Sequence, residues 1–208
     1  MIKKGNFVEI EYTGSTLGKI FDTTSEETAK KENIFNPNMK YGSIVICIGE
    51  HQIIPGLDEQ LENKEFKKYE FDIPPEKAFG KKNPKLMRLV SSAKFKQQNI
   101  TPYPGLQLNL DGIIGTIRTV TPGRIIIDFN HPLAGKNLHY AVEIKKIITD
   151  TNQQLDSLLY FYSKKFTTEI KQDTVIIKAN IPEKAKEHLE KTIKRLIPKL
   201  KKITIVKE

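Results

Sequence analysis
The sequence is short of cysteine, of arginine and of long apolar runs, and each shortage closes off a class of protein. Its single cysteine, Cys47, cannot form an intrachain disulfide. The setting Ile44-Val45-Ile46-Cys47-Ile48 reads as a buried strand rather than as a reactive thiol. Apolar runs stop at five or six residues, far below the ~20 needed to cross a bilayer, and Met1 to Asn6 lacks the apolar core of a signal peptide. A cytoplasmic chain with no membrane partner is expected. The four histidines, His51, His131, His139 and His188, show no ligand spacing, so no metal is expected either.

Arginine is scarce even though the chain is basic. The formal charge is +9, carried by 30 Lys against only 4 Arg, so the forked contacts that read phosphate or guanine are few. The excess is also uneven. Residues 151–208 hold thirteen Lys/Arg against seven Asp/Glu, and residues 84–130 hold six against two. The remainder is close to neutral. With 38% hydrophobic residues in 208, the chain can bury one good core and has room for further small modules.

Strand-like alternation runs from Phe7 to Tyr12, and Thr13-Gly14 reads as the turn that ends it. A second strand is expected at Ile20-Phe21-Asp22, a surface loop over 24–40, and a buried strand over 44–48. After Pro55-Gly56, the run Leu57 to Leu61 spaces its apolar residues for a short helix, and 69–73 alternates again before Pro74-Pro75. The character changes between Pro84 and Asn130, where short strands are expected at 106–110, 112–120 and 124–129. Alternation of the first kind resumes at His139–Ile147, so one domain is interrupted and then completed. From Thr151 a helix is expected with a Thr151/Gln154 capping box, then a strand at 174–179. A helix capped by Asn180 and Glu183 and a closing strand at 203–206 follow.

Four short segments, distant in sequence, carry aromatics, one carboxylate and an Ile-Ile pair: Tyr12-Thr13-Gly14, Phe21-Asp22-Thr23, Ile53-Ile54-Pro55-Gly56-Leu57 and Ala78-Phe79-Gly80. With Asn130-His131-Pro132-Leu133-Ala134-Gly135-Lys136-Asn137-Leu138, their order and spacing resemble the FKBP-type peptidyl-prolyl isomerases over about residues 1–150. The likeness is to the SlyD-like, long archaeal branch with a domain inserted in the flap. It implies an α+β fold in which an FKBP-like antiparallel sheet wraps on a short helix. That domain would take residues 1–83 with 131–150, a small all-β insert 84–130, and a small α/β C-terminal domain 151–208.

The resemblance also implies site roles. Tyr12, Phe21 and Tyr140 would form the aromatic side of a prolyl pocket, Ile44, Ile46, Ile53 and Leu57 its aliphatic walls and floor, and Asp22 its polar edge. The N–H of Ile54 would donate to a peptide carbonyl, and Phe79 would close the flap side opposite a loop carrying His131 and Leu133. The family commonly has Trp at the position of Leu57 and Tyr at that of Phe79, so the floor is shallower and one hydroxyl is missing. Leu86, Met87, Leu89, Val90 and Phe95, on a segment read as loop, would offer apolar surface to unfolded chains.

No cofactor is implied. The expected partners are unfolded or proline-containing polypeptides, with residues 151–208 as a candidate homodimer contact. Two other readings stand beside the isomerase: a holdase with weak isomerase activity, and a ribosome or RNA partner using the basic tail.

Overall fold
In a computed structural model, which describes residues 1–110 and 112–207, the first strand runs past its expected end. β1 (Phe7–Thr16) continues straight through Thr13-Gly14, and the turn falls at Leu17-Gly18 before β2 (Lys19–Thr23). Within the stretch read as loop lies α1 (Glu26–Lys31), capped by Ser25 Oγ, which accepts from the Thr28 N–H at 3.1 Å. Only Ala29 of α1 is buried, so the helix has no apolar stripe to announce it. β3 (Ile44–Cys47), α2 (Pro55–Leu61) and β4 (Lys68–Ile73) follow.

The next stretch holds β5 (Met87–Ser91), α3 (Ser92–Gln97), β6 (Gln107–Leu110), β7 (Ile113–Thr121) and β8 (Arg124–Asp128). After it come β9 (Leu138–Ile147), α4 (Thr151–Leu159), β10 (Phe166–Lys171), β11 (Thr174–Ala179), α5 (Glu183–Leu196) and β12 (Lys202–Val206). Among the described residues these strands make three sheets. The architecture is α+β.

The chain divides into two compact units, Met1–Ile73 with everything from Leu138 on, and Pro74–Asn137. In the first, β9 lies between β1 and β4, and β1 shares its other edge between β3 and β2. Because strand side chains alternate, Val8 and Ile10 of β1 and Leu138, Tyr140, Val142 and Ile144 of β9 are all buried. Phe7 sits one residue out of that phase and is 1% exposed for another reason. It joins Cys47, Ile148, Leu155, Leu159, Ile177 and Ile193 in a single core that takes in buried side chains from Leu155 to Leu200. The C-terminal segment thus builds its own three-stranded sheet, β10-β11-β12, but shares its core with the strands β1 and β3. Burial pushes the Cys47 thiol up to about 12, which keeps it protonated and inert.

Caps in this segment differ from the expected boxes. Asp150, not Thr151, caps α4, its Oδ1 accepting from the Gln153 N–H at 2.9 Å. An ionised carboxylate at a helix start gains from the macrodipole as well as from the hydrogen bond. α5 begins after Pro182 with no side-chain cap, and Glu183 pairs instead with Lys186 at 2.7 Å.

The second unit is a four-stranded sheet, β5-β8-β7-β6, with α3 on it, so the insert is not purely β. Its core is Phe95, Ile117, Ile125 and Ile127, with Val90 packed against them. The unit extends beyond 84–130 because its neck is tied. Asn83 N–H donates to Asn130 Oδ1 at 2.7 Å, Asn130 Nδ2 donates back to the Asn83 carbonyl, and Gly135 N–H donates to Gly80 O. Asp128, 2% exposed, receives Asn130 Nδ2 at 2.8 Å and Arg118 Nε at 3.0 Å. Burial alone would raise its carboxyl, but these donors outweigh it and hold the group below its ordinary range.

Candidate active site
At the middle of the first sheet, β1, β2 and β9 bring three aromatic rings together. Tyr12 and Tyr140 lie with ring centroids 5.9 Å apart, tilted by 52°, and Phe21 meets Tyr140 edge-on at 5.9 Å and 85°. Such edge contacts suit the ring quadrupoles. Tyr12 Oη donates to Asp22 Oδ2 at 2.9 Å. Burial, and then the Asp22 charge beside it, push the Tyr12 hydroxyl well above the usual tyrosine range, so it stays a donor at neutral pH. The buried Tyr140 hydroxyl is raised for the same two reasons.

Gly14 is what lets the rings converge. It pairs with Asp22 on one side and Tyr140 on the other, and a Cβ there would stand 2.9 Å from Phe21 Cζ and from Tyr140 Cε1. Sequence reading gave Gly14 to a turn. Its value lies instead in a missing side chain inside a strand. Gly14→Ala should therefore lower stability by about 1–3 kcal/mol and raise KM for a ligand of this site. Denaturant melts and steady-state kinetics read the two effects, and a variant unchanged in both would show that the rings yield freely.

The aliphatic residues divide by exposure. Ile46 and Leu57 are 0% and 1% exposed and serve as core packing, whereas Ile44, Ile53 and Ile54 are half-buried and face partly open space. The loop that carries Ile53-Ile54 is held from several sides. Asp58 accepts from Gly49 N–H at 3.0 Å and His51 N–H at 3.2 Å, and Gln52 Oε1 accepts from Cys47 N–H. Arg195, at the end of α5, forks onto both carboxylate oxygens of Glu50 at 2.8 and 2.7 Å. Those hydrogen bonds hold the Glu50 carboxyl below its ordinary range. The Ile54 carbonyl starts α2 by accepting from Leu57 and Asp58, while among the described residues its N–H has no hydrogen-bond partner.

Gly14, Gln52, Asp58 and the Glu50–Arg195 pair were not among the expected site residues. Asp58 carried a signal, since an acidic residue early in a helix suits either the dipole or a loop in need of an acceptor.

Phe79, His131 and Leu133 belong to the second unit. There the Phe79 and His131 rings stack at 4.2 Å, only 2° from parallel, and His131 Nδ1 accepts from the Leu133 N–H at 3.2 Å. The insert residues separate as well. Leu86, Met87 and Leu89 are exposed, Leu89 by 62%, but Phe95 is 5% exposed and Val90 turns toward the core. The expected loop is a strand followed by a helix, and Phe95 is on the helix face that closes the core. Ile113 and Ile114, 55% and 63% exposed, join the apolar surface instead. Among the described residues no group of three or more His, Cys, Asp or Glu side chains is placed to hold a metal ion, and no helix is long and apolar enough to cross a membrane.

An apolar, ring-walled site with one carboxylate committed to a tyrosine hydroxyl is equipped to bind and reorient a group rather than to break a bond, as in a conformational isomerase. The comparisons identify which one. The model of the FKBP-type peptidyl-prolyl cis-trans isomerase family matches residues 1–99, and that of the FKBP26, IF domain matches residues 88–133. The chain is 32% identical over 148 residues to the short-type peptidyl-prolyl cis-trans isomerase of Methanocaldococcus jannaschii, covering 71% of this chain and 94% of that one. It is 31% identical over 158 residues to the FKBP-type peptidyl-prolyl cis-trans isomerase SlyD of Treponema pallidum, covering 74% and 82%. The chain belongs to the FKBP-type peptidyl-prolyl cis-trans isomerases.

Proposed function
We propose that this chain accelerates X–Pro isomerisation in unfolded polypeptides, with Tyr12, Phe21 and Tyr140 enclosing the proline ring and the Ile54 N–H taking a substrate carbonyl. The observation that carries this is the convergence of three rings over Gly14; the Ile54 N–H, which among the described residues has no hydrogen-bond partner, supports it.

Rotation of the amide has to break resonance behind a barrier of ~18–20 kcal/mol. The twisted amide is less polar than the planar one, so an apolar surround favours it over the planar form, and each ~1.4 kcal/mol of such preference gives about tenfold in rate. No nucleophile is needed. Asp22 acts by fixing the Tyr12 hydroxyl. In a protease-free assay, the protein should accelerate cis/trans exchange of a prolyl tetrapeptide in proportion to its concentration. Absence of any acceleration would overturn the reading.

The second unit, in this proposal, holds unfolded clients on the exposed side chains Met87, Leu89 and Ile114. Replacing all three by serine should leave tetrapeptide turnover unchanged and slow catalysis of a proline-limited refolding reaction by about tenfold, given ~0.8 kcal/mol per buried methylene. Equal losses on both substrates would contradict the division of labour.

Three further assignments belong to the same proposal. A homodimer contact through residues 151–208 is supported by the open edges β10 and β12 and by Phe161, 49% exposed; sedimentation equilibrium showing only monomer at micromolar concentration would remove it. Cytoplasmic residence is supported by the free, buried Cys47 thiol and is checked by cell fractionation. Ribosome or RNA binding by the tail has less support, because Lys186, Lys191, Lys194 and Arg195 of α5 are each paired with a glutamate. A steep salt dependence of RNA binding would restore that reading.

A further inference from the structure
The hairpin between β1 and β2 breaks a local rule. Both of its turn residues have positive φ, 51° at Leu17 and 74° at Gly18, the pattern of a turn that favours Asn, Asp or Gly at its first position. In this conformation a leucine Cβ crowds the following carbonyl oxygen. Nothing offsets the strain, because the Leu17 side chain is 91% exposed. A lone exposed leucine is ordinary on a protein surface. A bulky residue that is both exposed and left-handed is different, since Asn, Asp or Gly would relieve the turn without loss of packing. Strain kept where the fold does not need it points to a contact made outside the fold.

The register says where that contact lies. Gly14 is opposite Asp22, Ser15 opposite Ile20 and Thr16 opposite Lys19, so Leu17 follows the ring-lined position by three residues along β1. At about 3.3 Å per residue of strand, the tip stands roughly 10 Å beyond the rings. An extended substrate has the same rise, so a chain with its proline against Tyr140 spans that gap with about three residues.

We propose that Leu17 is an apolar subsite for the substrate chain, taking a large aliphatic or aromatic side chain about three residues from the proline. This rests on the isomerase reading above and adds a preference that the prolyl pocket itself cannot supply. A tetrapeptide is too short to feel it.

The test uses the full chain and nine-residue peptides with a central proline, carrying Leu or Ser three residues before or three residues after it. The wild-type protein should prefer Leu to Ser on one of the two sides by about three- to tenfold in KM, as partial burial of a leucine allows, with kcat unchanged. Leu17→Asn should abolish that preference, leave tetrapeptide turnover unaltered, and raise the melting temperature, because Asn tolerates the left-handed turn. Leu17→Met should keep the preference. A residue with a merely structural role would move stability and activity in the same direction, whereas here they move apart. Turnover of all peptides without a Leu preference, a preference that survives in Leu17→Asn, or a lower melting temperature for that variant would each overturn the subsite. Failure to turn over any peptide would instead overturn the isomerase reading.

Discussion

Phe7→Ala should lower the stability of the first unit by about 3–5 kcal/mol, the usual loss when a fully buried phenylalanine is truncated. Phe7 is 1% exposed and belongs to the core that also holds Leu155, Leu159, Ile177 and Ile193. Its main chain is committed too, since the Ile148 N–H donates to the Phe7 carbonyl at 2.8 Å. The expected loss is a large part of the 5–15 kcal/mol that a domain has in total. It should also be shared, because the cavity opens between the sheet of β1 and β9 and the C-terminal helices. Hydrogen exchange during urea denaturation checks this: amides of β9 and of α5 should lose protection together and at lower urea than in the wild type. Loss confined to residues 151–208, with β9 still protected, would show that the two parts fold separately.

Asp22→Ala should reduce kcat/KM for a prolyl peptide by about ten- to a hundredfold while leaving the fold intact. The carboxylate accepts the Tyr12 hydroxyl at 2.9 Å, and a hydrogen bond to a charged group contributes ~1.5–3 kcal/mol. If that bond aligns Tyr12 for the twisted amide, its loss falls on the rate at about tenfold per 1.4 kcal/mol. Asp22→Asn should retain part of the activity, because an amide oxygen can still accept from Tyr12. Circular dichroism should not distinguish the variants from wild type. A value of kcat/KM within twofold of wild type in Asp22→Ala would remove Asp22 from the machinery.

What the sequence made legible follows physical lines. β1, β4 and β9 bury alternating apolar side chains, α2 buries Leu57 and Leu61 four residues apart, and β3 is a short continuous apolar run, all of which is visible in the residues themselves. α1 was not visible, because it buries only Ala29 and rests on a serine cap and a Glu26–Lys30 pair at 2.6 Å. β10 was missed because its alternation is between half-buried and exposed positions only. Of the residues that meet around Gly14, Tyr12, Phe21 and Asp22 stand in short motifs, whereas Tyr140 was reached only through the family resemblance. Gly14 carried an ambiguous signal, as glycine serves turns and close approaches alike. The Glu50–Arg195 pair joins residues 145 apart in the chain, and no local pattern can announce such a contact. Phe95 shows the converse limit: composition marks a side chain as apolar but does not say which face of its element is covered.

The place of β9 between β1 and β4 has a consequence for synthesis. This strand carries Tyr140, yet it leaves the ribosome only after the whole of the second unit. A nascent chain that ends before Leu138 has β1 and β4 with no strand to join them, and so has no ring-lined site. The strands of the second unit all lie within residues 87–128, and short-range pairings form fastest. The sheet of the second unit, with its exposed Met87, Leu89 and Ile114, can therefore be complete while the ring-lined site still lacks Tyr140.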